Sequence, residues 1–528
     1  MHAALTSRQL STLPKRKRAI GVPLVGLMVM ATVSGSARAQ EAQDAKSGRA
    51  FAIVPSLSLT ETFTDNAGLV STNKESEFIS QISAGLHMSS NAGRIRGSVD
   101  YSLTGYLYAN GTQKNGLQNT LSALATAEAI ENFAFVDVSA AISQQAISAF
   151  GKQTADPALN NSNRTEVATY SLSPYLRGRF LETGNYEARL TQSGTKSDKQ
   201  GVGIGNSDSS TSQGRLHIGA GTPLGRLKWA TDASAKSIDY QGGRRSEIDS
   251  LSLSLSYAIS TELQLSLSGG REANNLTSVD KQSHWTSGAS LKWQPTERTK
   301  FVVEGERRFF GNSHRLSFEH RTPRTVWVFS DSQDISSGGD QSSAGSIGSA
   351  YDLFFTQFAS AYPDPVLRAQ MVNDYLRARN ISPTSQIIGG FQTSGVTLTR
   401  SQILSFALLG LRDTVTFTAT RTSSRRIDSL TTTTDDLSNG DNIHQLVYSA
   451  DASHRLTPDS SVNLVVSQQK STGLSTARST TLRSYVILWS GRVSSRTSVS
   501  VSARHAKFTS LTEPYTENAL TASLQLKF

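Results

Sequence analysis

The stretch Thr516-Glu517-Asn518-Ala519-Leu520-Thr521-Ala522-Ser523-Leu524-Gln525-Leu526-Lys527-Phe528 decides the fold. Leu520, Ala522, Leu524, Leu526 and Phe528 alternate with Thr521, Ser523, Gln525 and Lys527. A period of two is that of a β-strand with one apolar and one polar face. Two readings fit the stretch alone: a half-buried strand of a soluble sandwich, or a strand with one face toward lipid and one toward a polar lumen.

Working backwards decides between them. Val499, Val501 and Ala503 alternate with serines; Val415, Phe417 and Ala419 with threonines; Leu251, Leu253, Leu255 and Tyr257 with serines again. The pattern begins near Phe51 and hardly stops. Tight links at 91–93, 131–132, 222–225, 260–261, 295–297, 410–412, 457–459 and 491–494 alternate with long polar ones, such as 65–77, 151–164, 193–212 and 423–440. Short turns on one rim and long loops on the other are the pattern of a transmembrane barrel. The expected fold is all-β: a large transmembrane antiparallel β-barrel of about 22 strands, within 18–26 and even in number. An even count places both ends of the barrel on the short-turn, periplasmic rim. The final strand resembles the closing strand of Gram-negative outer-membrane barrels, which implies that Phe528 is an assembly signal read by the barrel-assembly machinery.

The chain has 528 residues and no cysteine, so disulfides do not hold it together. Lys15-Arg16-Lys17-Arg18, the apolar run 19–33 and Ala37-Arg38-Ala39 form a secretory signal peptide over 1–39, cut before Gln40. Residues 40–50 read as a periplasmic lead-in and 51–528 as the barrel. The net charge of +10 is mostly the leader's. Its six basic residues, taken from the 52 in the chain, leave 46 against 42 acidic ones. No basic stripe suggests nucleic acid. A mean hydropathy of −0.31 is compatible with a barrel, whose lumenal residues offset its lipid-facing ones.

One segment, 330–392, breaks the pattern. After a Ser/Gly-rich opening, Tyr351, Phe354, Phe355, Phe358 and Tyr362 recur at helical spacing, Asp364-Pro365 reads as a helix start, and Arg377 and Arg379 suit a helix end. The expectation is a short helical insertion on the long-loop rim, either a lid on the mouth or a plug within it.

The candidate lumen-lining residues are Arg94, Arg96 and Asp100 on one strand, Arg177 and Arg179 on another, Glu187 and Arg189 on a third, and Glu304, Glu306 and Arg308 on a fourth. Opposed charges on inward faces suit a polar solute, and equally a merely hydrated interior. The nine histidines lack metal spacing, and no Gly-rich loop follows a strand to open a helix. No enzyme, cofactor or metal site is expected.

Pro55-Ser56-Leu57-Ser58-Leu59-Thr60-Glu61-Thr62-Phe63-Thr64-Asp65-Asn66, Arg308-Phe309-Phe310-Gly311, Glu319-His320-Arg321 and Leu409-Gly410-Leu411-Arg412-Asp413-Thr414-Val415 resemble the PEP-CTERM system-associated outer-membrane β-barrel family. The resemblance covers the chain after the leader. It implies an outer-membrane protein linked to exosortase and exopolysaccharide loci, in contact with lipid and lipopolysaccharide, and acting in exopolysaccharide export or surface retention. A porin-like channel for small hydrophilic solutes and a blocked, structural barrel stay open beside it.

Overall fold

The computed structural model describes residues 51–528, other than 91–92, 160, 199–207, 338–367, 369–371, 373–389, 431–433, 439, 441 and 475–477. Twenty-two strands follow one another. They are β1 Phe51–Thr64, β2 Glu77–Ser90, β3 Ile95–Tyr108, β4 Gly116–Ile130, β5 Ala134–Ala146, β6 Arg164–Phe180 and β7 Gly184–Ser197. Next come β8 Ser209–Gly221, β9 Leu227–Tyr240, β10 Ser246–Ala258, β11 Leu263–Asn274, β12 Gln282–Thr296, β13 Thr299–Arg308, β14 Gly311–Arg321 and β15 Thr325–Ser336. The last are β16 Thr397–Leu409, β17 Asp413–Arg426, β18 Ile443–Thr457, β19 Ser460–Thr472, β20 Ser479–Arg492, β21 Thr497–Thr509 and β22 Tyr515–Lys527.

Each strand pairs antiparallel with the next, and β22 pairs with β1 from Ser56 opposite Lys527 to Thr64 opposite Ala519. The sheet therefore closes and has no free edge, which satisfies every strand's backbone groups internally. Beyond the last strand, the Phe528 amide donates to the Pro55 carbonyl at 3.0 Å.

The two faces separate as the period-two pattern requires. Leu251, Leu253, Leu255 and Tyr257 point outward and are about half exposed, as are Leu57, Leu59, Ile487 and Leu520. Inward, the wall carries hydroxyls paired across strands: Ser83 with Thr104 at 2.8 Å, Ser234 with Ser250 at 2.8 Å, Ser256 with Ser266 at 2.8 Å and Ser461 with Ser490 at 3.0 Å. Apolar outside and polar inside inverts a soluble protein, and it excludes the sandwich reading.

All eight tight links lie within two residues of where the sequence placed them; two more, at 181–183 and 322–324, complete that rim. The opposite rim differs in detail. Strands run further out than the polar composition suggested: β7 reaches Ser197 and β17 Arg426, because Ser and Thr serve an inward face as well as a loop. The β13–β14 link on that rim is not long but a two-residue hairpin of Phe309 and Phe310, made possible by Gly311 at φ +112°, which side-chain-bearing residues rarely adopt. The insertion assigned to 330–392 begins later, because residues 330–336 belong to β15 and pair with 397–403 of β16. Of its helical part only Arg368 and Val372 are described, both helical; the rest falls outside the described residues, as do the leader and the lead-in.

Candidate functional site

The inward face collects the candidate residues. Arg96 and Asp100 sit on the lumenal face of β3, and Asp100 meets His87 of β2 at 2.6 Å. Arg94 lies one residue before β3, exposed, and its carbonyl accepts the Glu128 amide at 2.7 Å, which continues the β3–β4 register by one rung.

Arg177, Arg179, Glu187 and Arg189 come together on β6 and β7. Arg189 bonds Asp137 at 2.7 Å and Glu187 at 2.9 Å, and its guanidinium lies 3.8 Å from the Tyr175 ring centre. Arg177 covers the Phe135 ring at 4.2 Å, and the Phe135 and Tyr175 rings stack at 5.1 Å. The Tyr175 ring is shielded by a cation that is itself paired with carboxylates, so the patch is polar without a large net charge. Arg179 is exposed toward the short-turn rim. Further round the wall, Arg308 holds the buried Glu272 at 2.7 Å and Asp334 at 2.6 Å. Glu304 and Glu306 share its inward face on β13, and Glu304 stands opposite Arg315 in the register.

The sequence did not single out the loop 147–163, between β5 and β6. It folds inward and packs on the lumenal face of the seam strands. Leu159 and Ala158 are buried against Ile79, Tyr106 and Tyr108 on one side and Leu482, Phe508 and Tyr515 on the other. The Tyr515 hydroxyl donates to the Gln153 carbonyl at 2.5 Å and the Tyr108 hydroxyl to the Ala158 carbonyl at 2.6 Å. Asp156 meets Arg504 of β21 at 2.6 Å, and Arg504 also holds Glu517 of β22 at 2.9 Å. The signal was present: Ile147, Ala149, Phe150, Ala158 and Leu159 are apolar in a loop that otherwise reads as solvent-facing.

A second loop locks onto the first. Asp436, between β17 and β18, accepts from the Ser148 hydroxyl at 2.8 Å and the Ala149 amide at 2.7 Å. Burial pushes its carboxyl above the ordinary aspartate range, against the lowering effect of those bonds. Its neighbour Asp435 holds Arg426 at 2.5 Å and the Ser394 amide at 2.9 Å, while Asp428 accepts from Ser246 at 3.1 Å. Leu437, Phe391, Ala149 and Ile443 form the small apolar core beneath. Segments from β5–β6, β15–β16 and β17–β18 are thus tied together inside the long-loop rim.

A closed barrel with an apolar exterior and a polar, charge-paired interior defines the class: a transmembrane β-barrel protein of the outer membrane. No family model matches the chain, and no curated protein matches it. Among solved structures it is similar to the siderophore receptor PirA from Pseudomonas aeruginosa, at 9% identity over 90% of this chain and 80% of that one, with a TM-score of 0.42. It is also similar to a mutant of the ferric enterobactin receptor PfeA from the same organism, in complex with enterobactin, at 11% identity over 90% and 81%, TM-score 0.45. A third is the FrpB iron transporter from Neisseria meningitidis, F5-1 variant, at 9% identity over 90% and 82%, TM-score 0.45. These likenesses carry no ligand over to this chain.

Proposed function

We propose that the protein is a conduit for a hydroxyl-rich polymer, an exopolysaccharide on its way to or held at the cell surface, with the loop 147–163 narrowing the passage. The observation that carries this reading is the chemistry of the inner wall. Its serine and threonine hydroxyls and neutralised ion pairs offer many weak hydrogen bonds and no single strong anchor. A sugar chain can exchange such bonds step by step as it moves. Arg forks suit uronic-acid carboxylates, and partners such as Asp137 and Glu187 keep the arginines from holding them. The resemblance to exopolysaccharide-linked barrels points the same way. No step of a reaction is assigned to any residue.

A second reading rests on the interlocked loops at Asp435, Asp436 and Asp156. They favour a barrel that stays shut and serves as a surface anchor. A deletion strain tests the exopolysaccharide link, and conductance of the refolded barrel in a planar bilayer separates an open conduit, which conducts, from a shut anchor, which is silent. The conduit predicts reduced surface exopolysaccharide with normal uptake of small solutes; normal exopolysaccharide in that strain would remove it. Slower entry of small hydrophilic solutes would point to a porin instead.

A further inference from the structure

The outer wall is mostly apolar, and near the long-loop rim β15 to β18 carry charge outward. The register places Gln333, Arg400, Ser423 and His444 in one transverse row, and Asp331, Gln402, Arg421 and Leu446 in the next. Parity fixes the direction: the following rows on the same face are Phe329, Leu404, Ala419 and Tyr448, then Trp327, Phe406, Phe417 and Ala450. The polar rows enclose a recess of about 260 Å³ bordered by Gln333, Arg400, Arg421, Arg425 and His444. Asp331 neutralises one cation, taking Arg400 through two bonds at 2.6 and 3.0 Å. Among the described residues, Arg421 and Arg425 have no acidic partner, and both are exposed. Further round the same face Lys470, Arg483 and Lys507 also point outward.

Unpaired guanidinium groups on the outside of a barrel cannot sit in hydrocarbon at an acceptable cost. At this height they face the headgroups of the outer leaflet. Their planar forks match phosphate, and the rows beneath them, with Leu404, Phe406 and Phe417, match acyl chains. We infer that the recess between β15 and β18 binds the phosphorylated headgroup of an outer-leaflet glycolipid, with Arg421 and Arg425 on its phosphate, Gln333, Ser423 and His444 on its sugar hydroxyls, and the lipid tails on the apolar rows below.

The test uses the full-length barrel refolded in detergent and titrated with bisphosphorylated lipid A, with dephosphorylated lipid A, and with inorganic phosphate as competitor. The phosphorylated lipid should bind at least tenfold more tightly than the dephosphorylated one, and millimolar phosphate should not displace it. The double variant Arg421→Gln/Arg425→Gln should lose that preference, whereas Arg324→Gln/Arg496→Gln, on exposed turns of the opposite rim, should keep it. Heat-modifiable migration checks that each variant is folded. Equal binding of the two lipids by the unaltered protein overturns the inference without any variant. Displacement by inorganic phosphate also overturns it, since that marks a free-anion site, as does an unchanged preference in the double variant.

Discussion

Leu253 and Ser254 are adjacent in sequence and face opposite media. Leu253 is 51% exposed on the outside, while the Ser254 hydroxyl donates inward to the Ala230 carbonyl at 3.3 Å. Leu253→Arg should therefore cost about 2–4 kcal/mol in a bilayer, measured by reversible denaturation of the refolded barrel. Ser254→Arg should cost far less; equal damage from both would mean that both faces are packed. Asp436 supports a second prediction at this scale. Its carboxyl has a raised pKa in the docked loop, so the docked state binds the proton more tightly than the released one. Its favourable contribution is complete below about pH 4 and is lost as the pH climbs through the raised value. Asp436→Asn keeps an acceptor for Ser148 and Ala149 but has no proton to lose. Relative to the unaltered protein, the variant's 147–163 loop should become more protease-resistant as the pH rises from about 4 to about 7. A constant ratio of cleavage rates across that range would remove Asp436 as the cause.

Arg504 ties the loop 147–163 to the last two strands. Arg504 stands between Asp156 and Glu517, which are 8% and 1% exposed. Removing it in Arg504→Ala leaves two buried carboxylates without their cation, a loss of about 3–5 kcal/mol. The loop should then leave the wall, with faster proteolysis at 147–163 and larger single-channel conductance in a planar bilayer. Silent channels and intact loops in that variant would show that the loop neither needs Arg504 nor gates the passage. Among the strands, β22 and β1 form the seam, and Phe528 bonds to Pro55 across it. Deleting Phe528 should lower the amount of assembled, heat-modifiable barrel while export continues, and unchanged assembly would argue against its role as a signal. Strands of this kind are legible because alternation is a local property: Leu520 to Leu526 declares both its faces without any partner. Loops are legible only in composition. Nothing adjacent to Leu159 in sequence says that its neighbours will be Leu482 and Phe508.

For the whole molecule, the same contrast separates what one dimension shows from what three assemble. About twenty-two strands and eight of the ten tight links could be read along the chain, and the inward faces of Arg177, Arg189, Glu304 and Arg308 follow from parity. The outward cations Arg400, Arg421 and Arg425 left no trace as a cluster, since Arg400 is separated from the other two by strand and turn and they meet only through register. The seam has a consequence for assembly. The platform that receives the loop 147–163 is built largely from Leu482, Arg504, Phe508, Tyr515 and Glu517, all contributed by the last three strands. A chain that has inserted everything up to β19 has the loop but only part of its seat. The loop can therefore dock in full only once the wall is complete. Loop docking thus waits on closure: the seat of 147–163 is complete only when the final hairpin has arrived.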